Sequence, residues 1–259
     1  MNRDWNSLAL TGKKLFFPYL TYGFPDEATF FRCLNICIEQ GVDAVEVGIP
    51  YSDPVADGPV IQASSQAALE QGVTPQRVTE TFSRQRFAVP LIAMTYGNIV
   101  YRYGARRFID EFSGAGFSGL IVADFPLEAR SYLPETGGNF FIPLLVATTT
   151  GEQRLALIAR KSEGFIYCVS GKGTTGNTKP EFTKAHGLVY RIRRLTATPV
   201  LLGFGIDSPD RAGEAARIAD GAIVGSALIA FIGEHHRDSA FDSDFSALIR
   251  AYRQAIDAA

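Results

Sequence analysis

Histidine, cysteine and runs of like charge are scarce in this 259-residue chain, and each scarcity narrows what it can be. Of three histidines, His186 stands alone and His235 and His236 are adjacent; neither spacing gathers ligands for a metal ion. The three cysteines, Cys33, Cys37 and Cys168, form no CxxC pair, so neither a zinc site nor a redox motif is expected. Cys33 and Cys37 lie four apart on a predicted helix, a spacing that suits core packing. No apolar run approaches the ~18 residues that would cross a membrane. The start, Met1-Asn2-Arg3-Asp4-Trp5-Asn6, does not read as a signal peptide, so a reducing cytoplasm is the expected compartment. With 25 basic and 27 acidic residues and no basic run, the chain gives no reason to expect nucleic acid. No GxGxxG follows the first predicted strand, and no haem or nucleotide motif occurs.

What is present is a core-forming composition, 46% hydrophobic and 20% charged, with apolar strands alternating with helical pattern. Strands are predicted at 14–21, 44–48, 90–96, 119–124, 139–146, 164–170, 198–203 and 219–224. Helical segments follow at about 27–40, 61–70, 104–114, 127–133, 152–162, 181–195, 208–218 and 242–257. Thr74-Pro75 and Ser208-Pro209 pair a capping hydroxyl with proline at the first helical position. Continuous apolar strands separated by helices imply a parallel sheet covered on both faces. Eight such units in about 250 residues imply a closed (β/α)8 TIM barrel. It would occupy 1–259 as a single domain, with a short N-terminal extension and extra short helices. An open doubly wound sheet is the alternative.

A barrel of this kind places its site at the C-terminal ends of the strands. The second strand carries Glu46 among β-branched residues, where a charge is costly unless something needs it. If Glu46 points into the barrel, so do Ala44 and Gly48, small neighbours that would leave room for a ligand. A buried structural glutamate paired with a cation is the plainer reading, although no basic residue stands nearby in sequence. On the following loop Asp53-Pro54 and Asp57-Gly58, taken alone, read as turn formers; Asp57 could also complete an acid/base pair with Glu46. Gly203-Phe204-Gly205-Ile206 ends the seventh strand, Gly225-Ser226-Ala227 follows the eighth, and Gly171, Gly173 and Gly176 lie after the sixth. Loops after strands seven and eight are the usual phosphate site of such barrels, and backbone dipoles would do most of the binding. Tyr19, Met94, Tyr96, Ile121 and Val146 lie at or near strand ends, where they could floor a pocket for a flat apolar group or simply pack.

The run from Glu46 to Gln62, EVGIPYSDPVADGPVIQ, resembles the signature of the α subunits of tryptophan synthase. Ala123-Asp124-Phe125-Pro126, Gly203 to Ile206 and Gly225-Ser226-Ala227 match in order and spacing, and the resemblance spans nearly the whole chain. It implies retro-aldol cleavage of indole-3-glycerol phosphate into indole and glyceraldehyde 3-phosphate. Glu46 matches the acid/base residue and Asp57 the carboxylate that accepts the indole N–H. Gly176, Gly205, Gly225 and Ser226 match phosphate contacts. Tyr19, Met94, Tyr96, Ile121, Val146 and Tyr167 match the indole pocket, Tyr167 beside the glutamate. Thr175 matches a lid residue that holds the aspartate. Pro50 and Asp53 match the interface with a β subunit in an αββα heterotetramer. The β subunit would carry pyridoxal phosphate; the α chain would need no cofactor. Phe24, Thr148 and the Gly171-Lys172 pair depart from the family pattern, in loops tied to lid closure and coupling. A stand-alone lyase of specialised metabolism, or a weakened paralogue acting as an allosteric partner, are the competing readings.

Overall fold

The computed structural model describes Trp5 and residues 12–136, 140–169, 182–203 and 205–259. Eight parallel strands run in the order β4-β3-β2-β1-β8-β7-β6-β5. They are β1 Leu15–Thr21, β2 Val45–Gly48, β3 Leu91–Thr95, β4 Phe117–Val122, β5 Leu144–Ala147, β6 Ile166–Val169, β7 Val200–Gly203 and β8 Gly221–Val224. The two ends meet through Phe141, which pairs with Gly119; Leu120 N–H donates to Phe141 O and Phe141 N–H to Ser118 O, each at 3.0 Å. The sheet is therefore a barrel, and the open-sheet alternative fails.

The helices on its outside are α1 Glu27–Glu39, α2 Pro59–Glu70, α3 Pro75–Phe82, α4 Gly97–Tyr103, α5 Ala105–Gly114, α6 Glu152–Lys161, α7 Phe182–Arg193, α8 Pro209–Ile218, α9 Ser226–His235 and α10 Phe241–Asp257, with a 3-10 turn at Leu127–Tyr132. Thr74 and Ser208 cap α3 and α8 by accepting from the N–H of Arg77 and Arg211, as their sequences predict. Asp26 caps α1 in the same way. The strand expected over 139–146 is shorter, because Pro143 has no N–H to donate and interrupts the ladder before Leu144. Helix α4 was not anticipated; its seven residues lie between strand and helix with no strong start signal.

The N-terminal end of the barrel is held by charge. Arg253 of α10 donates to Asp43 Oδ2 at 2.6 Å and to Lys14 O at 2.7 Å, and Phe16 N–H donates to the same Asp43 oxygen. Trp5 packs against Phe17, Phe141 and Phe165. These groups occupy the strand starts and leave the opposite end for chemistry.

Candidate active site

Glu46 lies in β2, level with Tyr19 of β1 and Ile92 of β3. It is fully buried, and neither carboxyl oxygen has a hydrogen-bond partner among the described residues. Burial with no cation beside it lifts its pKa from the ordinary 4.5 to about 8. The side chain is thus a neutral acid near neutral pH, and no described residue makes the salt bridge of the structural reading.

Asp57 sits at the start of α2, 6% exposed. Burial raises it too, but only to about 6, because Tyr96 donates its hydroxyl proton to Asp57 Oδ2 at 2.8 Å and so favours the ionised form. Tyr96 also accepts from Ala56 N–H at 3.1 Å. Its ring lies 5.2 Å from that of Tyr51, whose hydroxyl accepts from Asn98. Tyr96, expected only as pocket wall, therefore fixes the loop that carries the aspartate. Nothing in its sequence position signals that second task.

Glu46 and Asp57 share a cavity with Tyr19, Ile61, Met94, Tyr167, Gly205, Ile206, Ile223, Gly225 and Ser226. Ile61, Ile206 and Ile223 were not among the expected residues, although the first two fall inside the quoted motifs. Val146 lines a neighbouring cavity with Ala56, Phe125 and Leu127, and Ile121 is buried in β4 and lines neither. Gly176 and Thr175, like Gly171 and Lys172, lie outside the described residues. Pro50 is buried and Asp53 exposed on the loop after β2, where Val55 is 71% exposed.

The room expected above Gly48 is filled by protein. A Cβ on Gly48 would overlap the Tyr19 hydroxyl and stand 2.5 Å from its Cζ; one on Gly203 would stand 2.6 Å from Cζ of Tyr167. Two phenols therefore lean over two strand-end glycines. Burial raises the pKa values of both, the Asp57 charge adds to this, and Glu46 adds to it once ionised.

At the far end Gly225 precedes α9 with no side-chain cap, so the first N–H groups of that helix are available to an anion. No lysine or arginine is among the described residues lining the cavity. Phe24, where the family pattern has an acid, packs against Gly233 of α9. Thr148 is half-buried in the loop after β5.

A buried acid at one end of a strand-end cavity and an uncapped helix N-terminus at the other, on this fold, give the molecule the layout of a (β/α)8 barrel enzyme. Comparison with known proteins narrows this further. The family profile described as "Tryptophan synthase alpha chain" matches residues 6–256. The tryptophan synthase alpha chain of Lactiplantibacillus plantarum is 42% identical over 249 residues, covering 94% of this chain and 93% of that one. That of Thermosynechococcus vestitus is 40% identical over 238 residues, 90% of each. A Legionella pneumophila tryptophan synthase subunit alpha structure superposes with a TM-score of 0.84 at 28% identity, covering 98% and 97% of the two chains. A Mycobacterium tuberculosis tryptophan synthase structure does so at 0.83 and 30%, covering 98% and 96%. The chain belongs to the tryptophan synthase alpha chain family and is a lyase of that type.

Proposed function

We propose that the chain cleaves indole-3-glycerol phosphate to indole and glyceraldehyde 3-phosphate, with Glu46 as acid and then base and Asp57 as the partner of the ring nitrogen. Protonated Glu46 delivers its proton to indole C3, giving a cationic ring. Asp57, ionised above about pH 6, accepts the indole N–H and stabilises that cation. The C3–carbinol bond then breaks, and its electron pair restores the aromatic ring. As this bond breaks, the Glu46 carboxylate takes the proton of the carbinol oxygen, which becomes the aldehyde oxygen. Atoms and charge balance with no cofactor, and Glu46 returns to its starting form. The observation that carries this reading is one cavity holding two carboxyl groups of different pKa, about 8 and about 6. Each is in the protonation state that its step requires near pH 7.

Gly205, Gly225 and Ser226 would hold the phosphate by backbone N–H groups and the α9 terminus, joined by Gly176; Met94 and Tyr167, which line the cavity, would form the indole side, whereas Tyr96, Ile121 and Val146 lie outside its lining. Thr175 would hold Asp57 when the loop closes. Pro50 and Asp53, beside exposed Val55, would face a β subunit carrying pyridoxal phosphate in an αββα heterotetramer. The three cysteines are free and buried, which suits a cytoplasmic enzyme. Among the described residues no helix is long and apolar enough to cross a membrane.

Indole release by the purified chain, with and without a β subunit, tests the reading. Cleavage stimulated by the β subunit supports it; equal, high activity alone supports the stand-alone lyase; no cleavage in either case overturns it.

A further inference from the structure

The sheet order decides which part of a substrate lies over which strand. The anion end of the cavity follows β8, at Gly225 and Ser226, and the acid stands on β2. Between them lies β1, bonded to β8 on one side and β2 on the other. The Tyr19 Cβ lies 3.4 Å from where a side chain on Gly225 would begin, and its phenol reaches the space above Gly48. Its ring therefore bridges the two ends. Tyr19 is level with Glu46 in register, and Gly48 is two residues nearer the mouth. Its hydroxyl thus stands in the layer through which a ligand must reach the carboxyl group. In the substrate proposed above, the hydroxylated three-carbon chain joins phosphate to indole, so this chain, rather than the ring, passes Tyr19.

The hydroxyl is oriented from behind. Thr21 Oγ1 lies 3.4 Å from it, and Ser64 Oγ of α2, which donates to Ile61 O at 2.8 Å, lies 2.7 Å from Thr21 Oγ1 and accepts the Thr21 hydrogen bond. Thr21 and Ser64 are 1% and 0% exposed. The Thr21 contact positions the phenol but at 3.4 Å is too long to hold its proton, which is left for the cavity. No described residue accepts that proton, and Glu46 has no donor. A carbinol group between them would satisfy both, giving its proton to Glu46 and accepting from Tyr19.

We propose that Tyr19, held by Thr21 and Ser64, donates a hydrogen bond to the carbinol oxygen of the substrate while Glu46 removes that oxygen's proton. The proposal rests on the cleavage reaction proposed above. As the carbon–carbon bond breaks, negative charge gathers on this oxygen before it settles as a carbonyl, so the phenol acts as an oxyanion donor. Its burial and the Asp57 charge keep it protonated, as a donor must be. The titratable groups facing Glu46 here are Tyr19 from β1, Tyr167 from β6 and Asp57 from the loop after β2.

The test compares Tyr19→Phe, Ser64→Ala and the double variant in the presence of a β subunit. Tyr19→Phe should lower kcat about 10²-fold, the usual loss for one oxyanion donor, with KM within about twofold. Ser64→Ala should lower kcat a few-fold, and the double variant should be no slower than Tyr19→Phe, because Ser64 acts through the phenol. Binding of indole-3-propanol phosphate, which has the skeleton without the hydroxyls, should stay within about twofold in Tyr19→Phe. The proposal is overturned if Tyr19→Phe keeps kcat within about threefold of the parent, if it weakens the deoxy analogue as much as it slows turnover, or if the two single effects multiply. An inactive parent enzyme would instead refute the cleavage reading.

Discussion

In Glu46→Gln the amide keeps the shape of the carboxyl group but cannot ionise. The parent pKa is about 8 in the folded protein against an ordinary 4.5. Between those values the folded state binds a proton that the unfolded state has released. Stability attributable to this group therefore falls as pH rises, by about 1.4 kcal/mol per pH unit. It is undiminished below about pH 4.5 and lost in full above about pH 8. The glutamine variant lacks this term. Relative to the parent it should gain less than about 1 kcal/mol at pH 5 and ~3–5 kcal/mol by pH 8. At roughly 2 °C per kcal/mol for a chain of this size, the melting temperature should rise by ~6–10 °C at pH 8. The amide leaves polar atoms unpaired, as the protonated acid does, so that cost largely cancels.

Thermal melts of both proteins from pH 5 to pH 8.5 measure the difference, and indole release measures activity. The variant should be more stable at alkaline pH and slower by about 10²–10⁴-fold, the range for a lost general acid. A difference that stays flat across pH, or a variant less stable than its parent at pH 8, would refute the claim that Glu46 is buried without a charge partner. Retention of near-parental turnover would refute its role as acid.

With Asp57 ionised and Glu46 protonated as the active form, the rate of cleavage should follow a bell with limbs near pH 6 and pH 8. Tyr96→Phe removes the hydrogen bond that lowers the Asp57 pKa, so its acid limb should move up in pH while the alkaline limb stays. Gly48→Ala should place a methyl against the Tyr19 phenol and cost about 1–3 kcal/mol by overpacking, with loss of indole release, read by a melt and an assay. Arg253→Ala should leave buried Asp43 with only Lys13 at 3.6 Å and the Phe16 N–H and cost up to about 3 kcal/mol, the low end for a broken buried pair. Its KM should be unchanged, since the pair sits at the strand starts.

The barrel was legible because its signal repeats: each apolar strand, cap and helix reports the same period, and errors in one unit do not propagate. The misses were local. Pro143 shortened β5, and α4 had no cap to announce it. The acid was legible as an anomaly, since a carboxylate amid Val45 and Val47 has no packing use. Asp57 was not, because turn chemistry and catalysis ask for the same residue before glycine, and only the surrounding signature separated them. Contacts between distant residues were the least legible. Tyr96 holding Asp57, or Tyr19 filling the space above Gly48, depends on the register of neighbouring strands, which no single stretch of sequence contains.

That register also explains why the acid works where it stands. Glu46 needs a proton near pH 7, and the ways to lower its pKa are a cation, a hydrogen-bond donor or water. The cavity wall withholds the first, since no lysine or arginine is among its described residues. Phenols over Gly48 and Gly203 occupy space that water would otherwise take, and neither gives Glu46 a hydrogen bond. Asp57 differs in starting from a lower ordinary value, in being less completely buried and in accepting from the Tyr96 hydroxyl. That hydrogen bond helps to separate the group that must remain an acid from the group that must remain an anion, and moving it should exchange activity for a narrower pH range before it unfolds the barrel.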